Sequence, residues 1–234
     1  MIHSVKAGLV SAALLFAGCG SSGGENPPET KRTEYVFVNA RNVERAMETA
    51  VEHNAAAVCA AIKVLYGRFS RMCRVEWNDD DSVVLRYRQD YEINTSRKPP
   101  EGVAIFTSIG NDKDESVPEL IGGASKGDMV FDRATVQVLN AMHGEKAQDN
   151  DALRLHINNT GNYETQLLAL GETVGRWVHI AGGMNSLVEV KNRRGISLLD
   201  TTENIENGRA YLFVIYENEL RRGEPEVMMV DVTP

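Results

Sequence analysis

The chain has 234 residues, with 33 Asp and Glu against 25 Lys and Arg, a net charge of -8 and 42% hydrophobic residues. This length and composition describe a globular protein with enough apolar side chains for a core that needs no metal or cofactor, and they exclude a disordered chain. An acidic surface repels phosphate backbones, which argues against nucleic acid as a partner. In chain order, the amino end carries Lys6, an apolar run from Ala7 to Ala17, and small residues before Cys19. A positive start followed by about eleven apolar residues reads as a secretory signal over 1–18, too short to remain as a transmembrane helix.

Phe16-Ala17-Gly18-Cys19 resembles the lipobox of bacterial lipoproteins. The resemblance implies that Cys19 is acylated, becomes the new amino terminus and fixes the chain to a membrane of the cell envelope. Gly20 in place of Asp implies delivery to the outer membrane. Residues 19–33 contain GSSGGENPPETKRT, which has no apolar periodicity and reads as a tether.

Residues 34–110 read as an α+β module. Tyr35 to Val38 is a short β-type run, and Asn39 or Asn42 suits a helix N-cap. Val43, Met47, Ala50, Val51, Ala55, Val58, Ile62 and Leu65 recur at spacings of three and four, which predicts a helix. Export makes Cys59 and Cys73 an even pair in an oxidising compartment, hence a disulfide. Fourteen residues along one helix would separate them by about 21 Å, and a bridge needs Cα atoms within about 7 Å. The helix is therefore expected to break at Gly67. Arg74 to Trp77 and Ser82 to Ile93 read as a hairpin about Asn78-Asp79-Asp80-Asp81, and Val103 to Ile109 as a further strand.

Residues 111–150 read as a loop-rich connector, with a short helix within 129–143. From 151 to 234 the hydrophobic period is two, over Leu153–Ile157, Tyr163–Leu170, Val174–Ala181, Leu187–Lys191, Ile196–Leu199, Ala210–Tyr216 and Val227–Val232. Short strands separated by Gly- and Asn-rich turns predict an antiparallel β-sandwich or barrel-like domain. Tyr211 to Ile215 is apolar on both faces and is expected to be a central strand.

Few residues suggest chemistry. Gly123-Ala124-Ser125-Lys126-Gly127 fits G-x-S-x-G, with Asp149 or Asp151 and His156 or His179 downstream, but no buried strand precedes it and no helix follows. A serine hydrolase is thus a remote alternative, and a flexible loop the expectation. The acidic runs Asn78–Asp81 and Asn111–Glu115 lack a twelve-residue calcium loop, and the histidines lack zinc spacing. Trp177 and His179 share one strand face and, with Tyr163, form a candidate surface for a glycan or small molecule. The expected function is that of a non-enzymatic binding or assembly module docking a protein partner in the envelope, the alternative being a glycan- or small-molecule-binding lipoprotein.

Overall fold

The structure, a computed structural model, describes residues 29–41, 46–87, 91–93, 101–109, 119–142, 152–169, 171–221 and 223–234. The signal, Cys19, Asn111–Glu115, Asp149 and Asp151 lie outside the described residues. The first half holds β1 (Lys31–Asn39), β2 (Met47–His53), β3 (Ala56–Val64), β4 (Arg68–Trp77), β5 (Val83–Tyr87), β6 (Tyr91–Ile93), β7 (Gly102–Ser108) and β8 (Glu119–Gly122). After a 3-10 turn at Lys126–Asp128 come β9 (Ala134–Asn140), β10 (Ala152–Asn158), β11 (Asn162–Glu164), β12 (Leu168–Ala169) and β13 (Val178–Ile180). The chain ends with β14 (Gly183–Asn192), β15 (Ser197–Ile205), β16 (Ala210–Glu217) and β17 (Pro225–Asp231).

The α+β expectation is overturned: the described residues form no α-helix, and the helix-on-sheet module does not exist. Residues 47–64, read as helix, form the hairpin β2–β3, and the helix placed within 129–143 is the buried strand β9. The apolar positions of β2 satisfy both periods. Met47, Thr49 and Val51 point inward at a spacing of two, and the hairpin turns at Asn54 and Ala55, both at positive φ. Packing against a sheet decides the outcome for so short a run.

The chain contains the same sandwich twice. In the first, one sheet has the order β4-β1-β7-β8 and the other β3-β2-β5-β6; in the second, the orders are β13-β9-β16-β17 and β11-β10-β14-β15. Substituting strand for strand, the topologies coincide, with β12 as an addition beside β10. Both begin with a strand that runs parallel to the penultimate one, β1 to β7 and β9 to β16.

The correspondence reaches individual atoms. Asn39 Nδ2 donates to the Val64 carbonyl while Asn39 Oδ1 accepts from Arg41 N–H; Asn140 Nδ2 donates to the Leu168 carbonyl while its Oδ1 accepts from Met142 N–H. Ala40 and Ala141 then donate to Ser108 and Ile215, and the carbonyls of Asn39 and Asn140 accept from Gly67 and Gly171. Both glycines have positive φ, 65° and 75°, a conformation that costs other residues strain.

The Cys59–Cys73 disulfide is present, with Cα atoms 5.9 Å apart. It joins β3 to β4, and so ties the two sheets of the first sandwich together. The chain does reverse at Gly67, as the cysteines require, but between two strands.

Among the described residues, three cores alternate with four sheets. Tyr35, Phe37 and Phe106 face β2, β3 and β5; Phe213, Ile215 and Val136 face β10 and β14. Between the sandwiches, Val36, Val38 and Ile105 share a core with Leu139, Leu212, Val214 and Val230. Strands β1, β9 and β16 are consequently covered on both faces, and β16 is the central strand its composition predicts.

Candidate functional site

The seam between the sandwiches positions every candidate surface. At one edge, β4 lies beside β17. Arg71 Nε donates to Glu34 Oε1 at 2.6 Å, one terminal nitrogen donates to the Asp231 carbonyl at 2.9 Å, and the other to the carbonyl of Thr233. One guanidinium thus spans both sandwiches, in the planar fork that Arg provides.

At the end where β1 finishes, Tyr66 meets Tyr216 edge-on at 5.7 Å between centroids, and its hydroxyl donates to the Glu217 carbonyl. Burial raises the pKa of both phenols above the ordinary value of 10.0. Around this pair, Leu65 (64%) and Phe69 (42%) of one sandwich and Leu220 (91%) of the other are exposed.

At the opposite edge, β8 and the segment leading into β13 leave a cleft of about 480 Å³. Its lining includes Trp177, Arg176, Gln137, Asp128, Gly122 and Gly175. The Ser125 hydroxyl and N–H donate to Asp128 Oδ2 at 2.6 and 2.9 Å and hold that carboxyl below the usual carboxylate range. Gln137 Nε2 donates to the Val174 carbonyl at 3.1 Å, while its buried Oε1 has no partner among the described residues.

The residues singled out from sequence are not all brought together. Trp177 is half-buried against the core of the seam and lines the cleft. His179 is exposed on β13, its Nδ1 3.1 Å from Thr135 Oγ1. Tyr163, on β11, packs on the inner core of the second sandwich instead. Trp177 and Tyr163 therefore belong to different cores. Ser125 caps the 3-10 turn through Asp128, and no imidazole bonds to it among the described residues. His156 lies on β10 with Glu189 at 2.7 Å and Lys191 at 3.0 Å. Gly123 of the G-x-S-x-G run is explained by packing, since a Cβ there would lie 1.7 Å from the Val103 carbonyl oxygen. The Asn78–Asp81 run is a turn: Asp81 accepts from Asn78 N–H at 2.7 Å and from Asn54 at 2.8 Å.

Sequence reasoning missed Gln137, Asp128, Arg176 and the glycines of the cleft. The available signal was Gly171 and Gly175 just ahead of Arg176-Trp177, where an aromatic and a cation follow residues that leave space.

No protein-family model matches the chain, and no curated protein matches it. Among solved structures it is similar to a leucine-rich repeat protein from Bacteroides thetaiotaomicron, at 8% identity and a TM-score of 0.19. That match covers 78% of this chain and 25% of the other, so the chain spans a quarter of that protein's length. It is also similar to a single B repeat unit of the collagen-binding surface protein of Staphylococcus aureus, at 10% identity and a TM-score of 0.17, over 88% of this chain and 100% of that unit. Likeness at this level carries no argument about fold or function.

Proposed function

We propose that this protein is a lipid-anchored component of the cell envelope, held by an acylated Cys19 at the outer membrane, and that it acts as a non-enzymatic module docking a protein partner. The observation that carries the reading is the apolar set Leu65, Phe69 and Leu220, exposed across the seam at the end of β1 remote from the amino-terminal segment. The nine residues of β1 put that end about 26 Å from Lys31. Large apolar side chains left exposed in segments of both sandwiches suit a protein contact. The disulfide agrees with an oxidising compartment, and the one candidate nucleophile, Ser125, is engaged as a cap.

The test is cross-linking in intact envelopes, followed by detergent extraction. Wild type is expected in a defined larger species, which Leu65→Asp with Leu220→Asp abolishes without changing the melting temperature. A lone monomer in wild type, or an unchanged species in the double variant, defeats the docking assignment. Separately, Cys19→Ala should move the protein from the membrane to the soluble fraction, and membrane retention would overturn the anchor.

A further inference from the structure

We propose that the cleft between β8 and the segment leading into β13 binds a saccharide, with Trp177 as the stacking surface and Asp128, Gln137 and Arg176 as polar partners. The volume of about 480 Å³ falls in the range of small-ligand sites. Three features of the lining point to a hydroxylated ring.

The first is the mixture of polar groups. Gln137 is 7% exposed, and its Oε1 lacks a donor. A ligand hydroxyl supplies one after a small turn about the terminal amide torsion, which is soft. Asp128 uses only Oδ2 in capping, so Oδ1 is left as an acceptor. Arg176 contributes donors, and no residue among those described forms an ion pair with it. Sugar hydroxyls both donate and accept, and so match acceptors and donors in one site. An apolar ligand would leave these groups unpaired, and a simple anion would face the Asp128 carboxylate.

The second is Trp177, whose packing against the seam fixes the ring while the residue still lines the cleft. A fixed aromatic surface suits the apolar face of a pyranose. The third is the bare wall. Gly122 and Gly175 have no positive φ, and a Cβ at either would meet no atom within 4 Å. Neither backbone conformation nor packing requires glycine there, and both positions leave that wall of the cleft bare.

The experiment uses the full chain in a detergent without a sugar headgroup, titrated with glucose, N-acetylglucosamine and cellobiose. Binding is followed by calorimetry and by tryptophan fluorescence. Of the two tryptophans, Trp77 is buried in the first sandwich, so Trp177 reports on the cleft. At least one sugar is expected to saturate with a Kd near or below about 1 mM. Gly175→Leu and Gly122→Leu fill the cleft without disturbing packing and should each weaken binding at least about tenfold, a change of about 1.4 kcal/mol, with the melting temperature unchanged. No saturation by any of the three sugars up to about 50 mM, well above that Kd, overturns the site. So does undiminished binding in both folded glycine variants. Partner capture in envelopes reads the far end of the molecule, so failure of either proposal leaves the other standing.

Discussion

Asn39 and Asn140 each close the end of a first strand with one side chain doing two jobs. Their amides are buried, donating to a carbonyl of a neighbouring segment and accepting from the N–H two residues on. Removing either leaves a buried carbonyl and a buried N–H without partners, and each such group costs about 1–3 kcal/mol. Asn140→Ala should therefore lower the unfolding free energy by at least about 2 kcal/mol in urea titrations. Asn39→Ala should behave alike, because the bonds are the same. A surface asparagine at ordinary φ, such as Asn162→Ala, serves as the control. The duplication was legible in principle: Val38-Asn39-Ala40 and Leu139-Asn140-Ala141 carry it. It was obscured because asparagine before an apolar-periodic run is also a good helix cap, and the residues following Asn39 offered such a run. The cleft was less legible still. Gln137 on β9 and Gly122 on β8 line one cleft only because two sandwiches meet, which no local pattern encodes.

The element that deceived most is β3. Ala56-Ala57-Val58-Cys59-Ala60-Ala61 is rich in the best helix former, yet it pairs with β2 and is tied by Cys59 to β4. Cysteine spacing predicted the reversal at Gly67 correctly because a covalent constraint holds in any secondary structure; periodicity could not say which structure reversed. In the chain-entropy account, closing this loop contributes about 3 kcal/mol. Cys59→Ala with Cys73→Ala should lose about that amount in denaturant titration. The tip of the β2–β3 hairpin is held separately, through Asn54 and His53 to Asp81. Hydrogen bonds from Asn54 first, then from Asn78 N–H and His53, lower the Asp81 pKa to about 2 from 3.8. A carboxyl depressed on folding stabilises above its unfolded value, and that contribution is lost as pH falls from about 4 towards 2. Nuclear magnetic resonance titration of Asp81 should show the low midpoint in wild type and a rise towards 3.8 in Asn54→Ala.

At the scale of the whole molecule, the two sandwiches form one four-layered stack because the sheets that meet at the seam are apolar on both sides. Runs such as Tyr35-Val36-Phe37-Val38 and Tyr211 to Ile215 announce strands with no wet face, and that much of the architecture was readable. The partner sheet for β1's second face was not, since it lies a hundred residues away in the chain. The seam should also contribute to the alkaline limit of stability, together with the buried Tyr35 of the first core. Tyr66 and Tyr216 have pKa values raised by burial, so they favour the fold while protonated, and their contribution is lost as pH rises above 10, where the unfolded phenols ionise. Unfolding followed by circular dichroism should show stability falling above pH 10, and less steeply in Tyr66→Phe.

The position of β1 has a mechanical meaning. It is the first strand among the described residues, yet it lies inside its sheet, antiparallel to β4 on one side and parallel to β7 on the other. A pull on the amino-terminal segment, resisted at the far end of the molecule, acts along β1 and not across it. The hydrogen bonds to both neighbours would then carry the load together in shear, and could not be peeled open one pair at a time. Arg71 bonds to Glu34 on this same strand and reaches across to Asp231 and Thr233, which passes part of the load into the second sandwich. A strand placed this way lets the protein be held by its amino end under tension without unravelling from that end.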